Sequence, residues 1–152
     1  MDSATQRFRA TLWGKVSVYW VPVVGYAATI FYLSSLSDPQ EQLPSFMQEL
    51  SDKLLHFVEY AVLGALCHRA LRWAAGPRIA ASAVLLAIMA GSIYGATDEV
   101  HQAFVPMREA SLLDWIADTV GSVIGALGLS WIDHRYRDRS SNRSIRQATP
   151  VS

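Results

Sequence analysis

The chain has 152 residues, of which 51% are apolar and only 17% charged, and its formal net charge is zero. Soluble domains carry about 25% charged residues, so this composition argues against an ordinary soluble fold, and the length allows one domain. Cys67 is the only cysteine; it excludes an internal disulfide, and its place in an apolar segment marks it as a packing residue.

Residues 16–37 contain no Asp, Glu, Lys or Arg. A hydrocarbon core of about 30 Å needs about 20 helical residues, which predicts a first membrane helix over 15–36. Arg7, Arg9 and Lys15 precede it like the basic start of a signal peptide. The apolar run exceeds the roughly 7–15 residues of a signal sequence, and no cleavage site follows it, so an uncleaved helix is expected. Pro22 is tolerated in such a helix. Tyr19, Trp20 and Tyr32 stand where interfacial aromatics belong. Asp38-Pro39 ends the helix. The acidic stretch 38–51 follows, with a short interfacial helix predicted over 44–50.

A second membrane helix is predicted over 52–73, with Ser51 or Asp52 as N-cap and Arg69 and Arg72 in its last turns. Gly76-Pro77 reads as a turn. A third helix is predicted over 78–97, a loop over 98–110, and a fourth helix over 111–133. The tail 134–152 is basic, rich in Ser and without apolar period, which predicts disorder. It lacks the scaffold and interleaved aromatics of a nucleic-acid binder, so no nucleic-acid partner is expected. The organisation is a segment 1–15, an all-α membrane domain of four helices over 16–133, and the tail.

Charge sets the expected topology. Of thirteen Lys and Arg residues, all but Lys53 and Arg108 (thirteen minus two, eleven) fall before the first helix, between the second and third, or after the fourth. Those three segments must share one side, the cytoplasm, so both termini are expected inside. Asp52, Lys53, His56, Glu59 and Tyr60 then open the second helix from outside. Asp98, Glu99, His101 and Gln102 close the third there, Arg108 follows, and Asp114 and Asp118 open the fourth. Lys53, His56 and Tyr60 share a helical face. The face of Asp114 and Asp118 continues through Gly121, Gly125 and Gly128, and Gly91 and Gly95 form a second small pair; such glycines allow close helix approach in a bilayer. A polar cleft above glycine-lined contacts is the expected picture. Ionisable groups at membrane depth are a functional hypothesis by default.

Three segments carry a family resemblance. Asp52-Lys53-Leu54-Leu55-His56-Phe57-Val58-Glu59-Tyr60, Asp98-Glu99-Val100-His101-Gln102-Ala103-Phe104-Val105-Pro106-Met107-Arg108 and Leu112-Leu113-Asp114-Trp115-Ile116-Ala117-Asp118-Thr119-Val120-Gly121 resemble, in order and spacing, the three motifs of the VanZ-like membrane family. The resemblance covers about 16–129. Asp118 stands where many members carry Asn. The family's namesake is associated with resistance to teicoplanin, a lipid-bearing glycopeptide, so the resemblance implies a bacterial inner-membrane protein acting on the cell envelope.

Two functions follow as expectations. One is a cleft for an amphiphilic or lipid-linked envelope molecule, with His56, Glu59, Asp98 and Glu99 as candidate acid–base groups. Lys53, Tyr60, His101, Gln102, Arg108, Asp114 and Asp118 are then the candidate ligand-binding residues, Arg108 as a bidentate anion clamp. The other is a non-catalytic membrane protein acting through a partner or through envelope composition. Proton-coupled transport is the third and weakest reading, and homo-oligomerisation is left open. Lys53 and Arg108 could equally pair with Asp52, Asp98, Glu99 or Asp114. Membrane lipids are the expected surroundings. Neither His56-x-x-Glu59 nor Glu99-x-His101 is a metal motif, since a divalent site needs three or four ligands in geometry; no metal or cofactor is expected. His68, beside Arg69, reads as interfacial and carries no assigned role. Cysteines placed at Ser45 and Ser111 should label from outside intact cells and one at Ser144 should not; labelling at Ser144 would sink the topology.

Overall fold

The computed structural model describes residues 3–36 and 45–148. Within them the helices are α1 (Ser3–Ser34), α2 (Ser45–Ala74), α3 (Pro77–Ala81), α4 (Ala83–Gln102) and α5 (Leu112–Ala148), with no strand among the described residues. Four stretches are long and apolar enough to cross a membrane: Trp13–Ser34, Asp52–Ala74, Ala83–Gln102 and Leu112–Arg137. The fold is an all-α, multi-pass membrane bundle.

The helix bounds differ from expectation in five places. α1 starts at Ser3 and passes Pro22 unbroken. α2 starts at Ser45 and runs without interruption, so the described part of 44–50 is its first turns and not a separate interfacial helix; Pro44 lies outside the described residues. The third predicted helix is two. Gly76, at φ 88, turns the chain into α3, and Ser82, at φ −107 and ψ 15, separates α3 from α4. α4 then continues to Gln102, so residues 98–102 are helical instead of loop.

The fifth difference is the tail. α5 does not stop near Asp133 but runs on to Ala148. Extending an existing helix needs no new nucleus, and arginine is a good helix former. Two cation–π contacts hold the first extra turns: Arg135 stands 4.4 Å over the Trp131 ring and Arg137 5.2 Å over Trp73. Each contributes about 0.5–1 kcal/mol at an exposed site.

Packing is arranged for lipid. Large apolar side chains point outward on every span, among them Val21, Val24, Leu85, Ile93, Ile116 and Ile124. The interior is built largely from small and polar residues: Ala70, Ala83, Ala87, Ala126, Ser122, Asp98 and Asp118 are all buried. Tyr60, Leu63 and the expected packing residue Cys67 complete the core at α2. Lipid tails are as apolar as Leu, so close backbone packing and hydrogen bonds drive association instead.

α2 lies at the centre and touches α1, α4 and α5. Its closest approach is to α5. A Cβ on Gly121 would sit 3.0 Å from the Ala61 nitrogen, and one on Gly125 2.7 Å from the Ala61 carbonyl carbon. Gly64 faces the Ser122 backbone in the same way. Across α4, Gly91 is filled by the Ser122 side chain and Gly95 by Asp118. Gly128, expected on this face, meets nothing within 4 Å. Two polar ties complete the α4–α5 seam: Ser92 and Thr119 hydroxyls lie 2.9 Å apart, and the Trp115 indole N–H donates to the Ser92 carbonyl at 2.9 Å. Gly125→Ala should therefore lower stability by about 1–3 kcal/mol, the usual overpacking cost, while Gly128→Ala should not; thermal melts of the two variants in detergent check the difference.

Candidate functional site

The site lies where the end of α1, the start of the α2 span, the end of α4 and the start of α5 meet. α5 is positioned there by its cap. Ser111 sits just before the helix, its hydroxyl accepting from the Asp114 N–H at 3.4 Å, and its own N–H donates to Glu99 Oε2 at 2.5 Å. A side-chain acceptor at this position satisfies an otherwise unpaired amide. Here the same residue also ties α5 to α4. Before it, Met107 adopts a left-handed φ of 65. That turn carries Arg108 back toward α1 and α2, where Nε donates to the Leu36 carbonyl at 3.2 Å and Nη1 to Asp52 Oδ1 at 3.3 Å.

Beneath lies the buried centre. His56 Nδ1 and Asp118 Oδ1 are 3.0 Å apart, with His56 4% exposed and Asp118 fully buried. An ionised carboxylate only accepts, so with Asp118 ionised Nδ1 carries the proton. Glu99 and Asp98 are also buried. Asp98 Oδ2 accepts from Gln102 Nε2 at 3.2 Å. Asp98 Oδ1, Glu99 Oε1, Asp118 Oδ2 and the Tyr60 hydroxyl have no hydrogen-bond partner among the described residues. Lys53 Nζ lies 3.4 Å from Asp114 Oδ1. Lys53 and Arg108 thus pair with Asp114 and Asp52, two of the acids anticipated for them.

A cleft of about 230 Å³ opens beside this centre, lined by Asp52, His56, Glu59, Asp98, Gln102 and Arg108, with Leu33, Ser34, Leu36 and Leu55 around them. The structure thus gathers most of the sequence-predicted residues. His56, Glu59, Asp98, Gln102 and Arg108 line the cleft. Glu99, Asp114 and Asp118 lie behind it in the polar centre, where ligand atoms of His56, Glu99 and Asp118 fall within 4.8 Å of one another, as do those of Asp52, His56 and Asp114.

Two candidates stand apart. Tyr60 is fully buried, its ring 6.2 Å from Tyr94, one turn below His56. His101 faces α1: it stacks on Phe31 at 4.3 Å, and its Nε2 lies 3.0 Å from the Ser35 hydroxyl.

Sequence reasoning passed over Ser122, Ser34 and the α1 rim. Ser122 is fully buried between Gly64 and Gly91, its hydroxyl donating to the Tyr60 carbonyl at 3.4 Å. Its spacing of four from Asp118 was the available signal. His68, read as interfacial, lies beside Ser130 and Asp133 at the opposite end of the bundle and is 2% exposed.

Breaking a buried pair leaves one charge or donor stranded, which costs about 3–5 kcal/mol. Asp118→Ala should therefore cut membrane abundance and melting temperature sharply. Asp118→Asn retains an acceptor for His56 Nδ1 and should melt much closer to the parent; equal loss in both would show that shape, not the hydrogen bond, holds the centre.

No curated protein and no solved structure matches the chain. A family match does extend over residues 3–133, taking in the first three spans, most of the fourth, and every residue of the cleft and its buried centre. The chain belongs to the VanZ/LLP1 family.

Proposed function

We propose that the cleft holds the polar headgroup of an amphiphilic cell-envelope molecule, whose apolar part lies against the bundle's lipid-facing surface. The observation that carries the reading is the division of the lining. Leu33, Leu36 and Leu55 are partly exposed apolar residues at the lip, while Asp52, His56, Glu59, Asp98 and Gln102 supply polar groups within it. Ligand pockets of drug-sized molecules run to roughly 300–1,000 Å³; about 230 Å³ suits a headgroup better than a whole lipid. The positive-inside bias supports reading this end as extracytoplasmic, the side of a bacterial inner membrane on which envelope precursors and lipid-bearing glycopeptides such as teicoplanin are met.

The chemistry of the lining favours a hydrogen-bonding or cationic headgroup. Carboxylates outnumber basic groups, and Arg108 already donates to Leu36 and Asp52. Arg108 is accordingly a strut that closes the cleft wall, and a bidentate anion clamp is not part of the proposal. His56 and Glu59 both line the cleft, so the same residues are placed to exchange protons with a bound headgroup. A binding protein without turnover would use the same lining.

Native mass spectrometry of the protein extracted from its own membranes tests the reading. The parent should retain an amphiphile adduct. Leu55→Trp, which fills the cleft from its lip, should lose it at unchanged melting temperature, and Gln102→Ala should lose it with a lowered one, because Gln102 also donates to the buried Asp98. Identical adducts in all three proteins would reject a headgroup site here. Conversion of the adduct on incubation would separate an enzyme from a binder.

A further inference from the structure

We propose that His56, Glu99 and Asp118 hold a divalent transition-metal ion at the base of the cleft. The three side chains come from α2, α4 and α5, and one donor atom from each lies within 4.8 Å of the others. All three are more than nine-tenths buried. The centre carries an excess of acid with unmet bonding capacity: Glu99 Oε1, Asp118 Oδ2 and the neighbouring Asp98 Oδ1 have no hydrogen-bond partner among the described residues. A buried carboxylate oxygen left unpartnered is costly, and a cation is the ligand that relieves several at once.

One edge of the donor set has the spacing of metal ligands. Two ligands at about 2.0–2.2 Å from one ion stand roughly 3.0–3.5 Å apart, and His56 Nδ1 and Asp118 Oδ1 are 3.0 Å apart. The ion takes the place of the proton between them, which leaves to solvent from an imidazolium and moves to Nε2 in a neutral ring. Glu99 is already oriented from outside the trio, because Oε2 accepts the Ser111 N–H at 2.5 Å while Oε1 is left to ligate. Such outer hydrogen bonds are how ligands are held for a metal. One imidazole and two carboxylates suit Zn²⁺, Mn²⁺ or Fe²⁺ rather than a soft ion or the all-oxygen shell of Ca²⁺. Three protein ligands leave a coordination position open, and His56 also lines the cleft.

The second trio, Asp52, His56 and Asp114, is the poorer site. Its two carboxylates are those that face Arg108 and Lys53, at 3.3 and 3.4 Å, and those cations oppose another positive charge.

The proposal does not rest on what the cleft binds, and metal binding is read with no lipid added. Full-length protein in detergent is stripped with chelator and titrated with Co²⁺, then Zn²⁺. The parent should bind one Co²⁺ with a visible d–d absorption band that Zn²⁺ removes, and its melting temperature should rise with Zn²⁺. Glu99→Gln and Asp118→Asn should bind at least about tenfold more weakly and show no Zn²⁺-dependent rise, while Asp114→Asn keeps parental affinity. A parent with neither band nor thermal shift would overturn the site, whatever the variants do. Loss of binding in Asp114→Asn with retention in Glu99→Gln would overturn it in favour of the other trio.

Discussion

The backbone contact between α2 and α5 is the constraint on which the site depends. Gly121 and Gly125 let α5 lie directly on the backbone of Phe57 and Ala61. His56 is one residue before Phe57 and Asp118 three before Gly121, so this approach brings their side chains to 3.0 Å. On the other side Gly95 makes room for Asp118 and Gly91 for Ser122. α5 is thereby held between two helices by residues that have no side chain to give way. A methyl group added along this seam would move the histidine and its carboxylate apart before it disturbed anything else.

The second layer is electrostatic. Six carboxylates, of Asp52, Glu59, Asp98, Glu99, Asp114 and Asp118, gather at one end of a membrane bundle with Lys53, Arg108 and His56. The pairing is unequal in depth. Lys53 and Arg108 serve the rim, through Asp114 and Asp52, and among the described residues the interior carboxylates are hydrogen-bonded by His56, a backbone amide and Gln102. Buried charge without compensation is among the most costly arrangements in a protein. An arrangement this acidic at its centre is organised around something positive, which is the common ground of the headgroup and metal readings.

Much of this was legible in the sequence. Four charge-poor runs announced four spans. The three polar motifs announced a cluster, since each opens or closes a span at the same end. The boundary at Asp98 was misplaced because a run of polar residues reads as loop. Yet Gly91, Gly95, Asp98 and Gln102 fall on one helical stripe, and all four are buried, so periodicity carried on where hydropathy stopped. The pairings were not legible. Nothing in a linear chain says that Asp114 takes Lys53 while Asp118 takes His56, because both are one turn apart on the same face of α5. Nor does α1 advertise its part: Ser34 and Leu36 reach the cleft through tertiary placement alone. One of the contacts that hold α5 beyond Asp133 is made to Trp73, a partner from another helix.

α1 is the least embedded of the spans, with 11% of its apolar window buried in protein against 39% for α2. Its last turn nevertheless supplies Leu33, Ser34 and Leu36 to the cleft. Its described hydrogen bonds to the rest of the protein are few: the Arg108 contact to Leu36, the His101 contact to Ser35, and the Tyr94 hydroxyl donating to the Ala27 carbonyl at 2.7 Å. A helix answers a change in hydrocarbon thickness mainly by tilting, and the helix with least protein around it tilts at least cost. One wall of the cleft is therefore coupled to the bilayer itself. Membrane thickness and lipid composition become variables of the site's width, on the same footing as the side chains that line it.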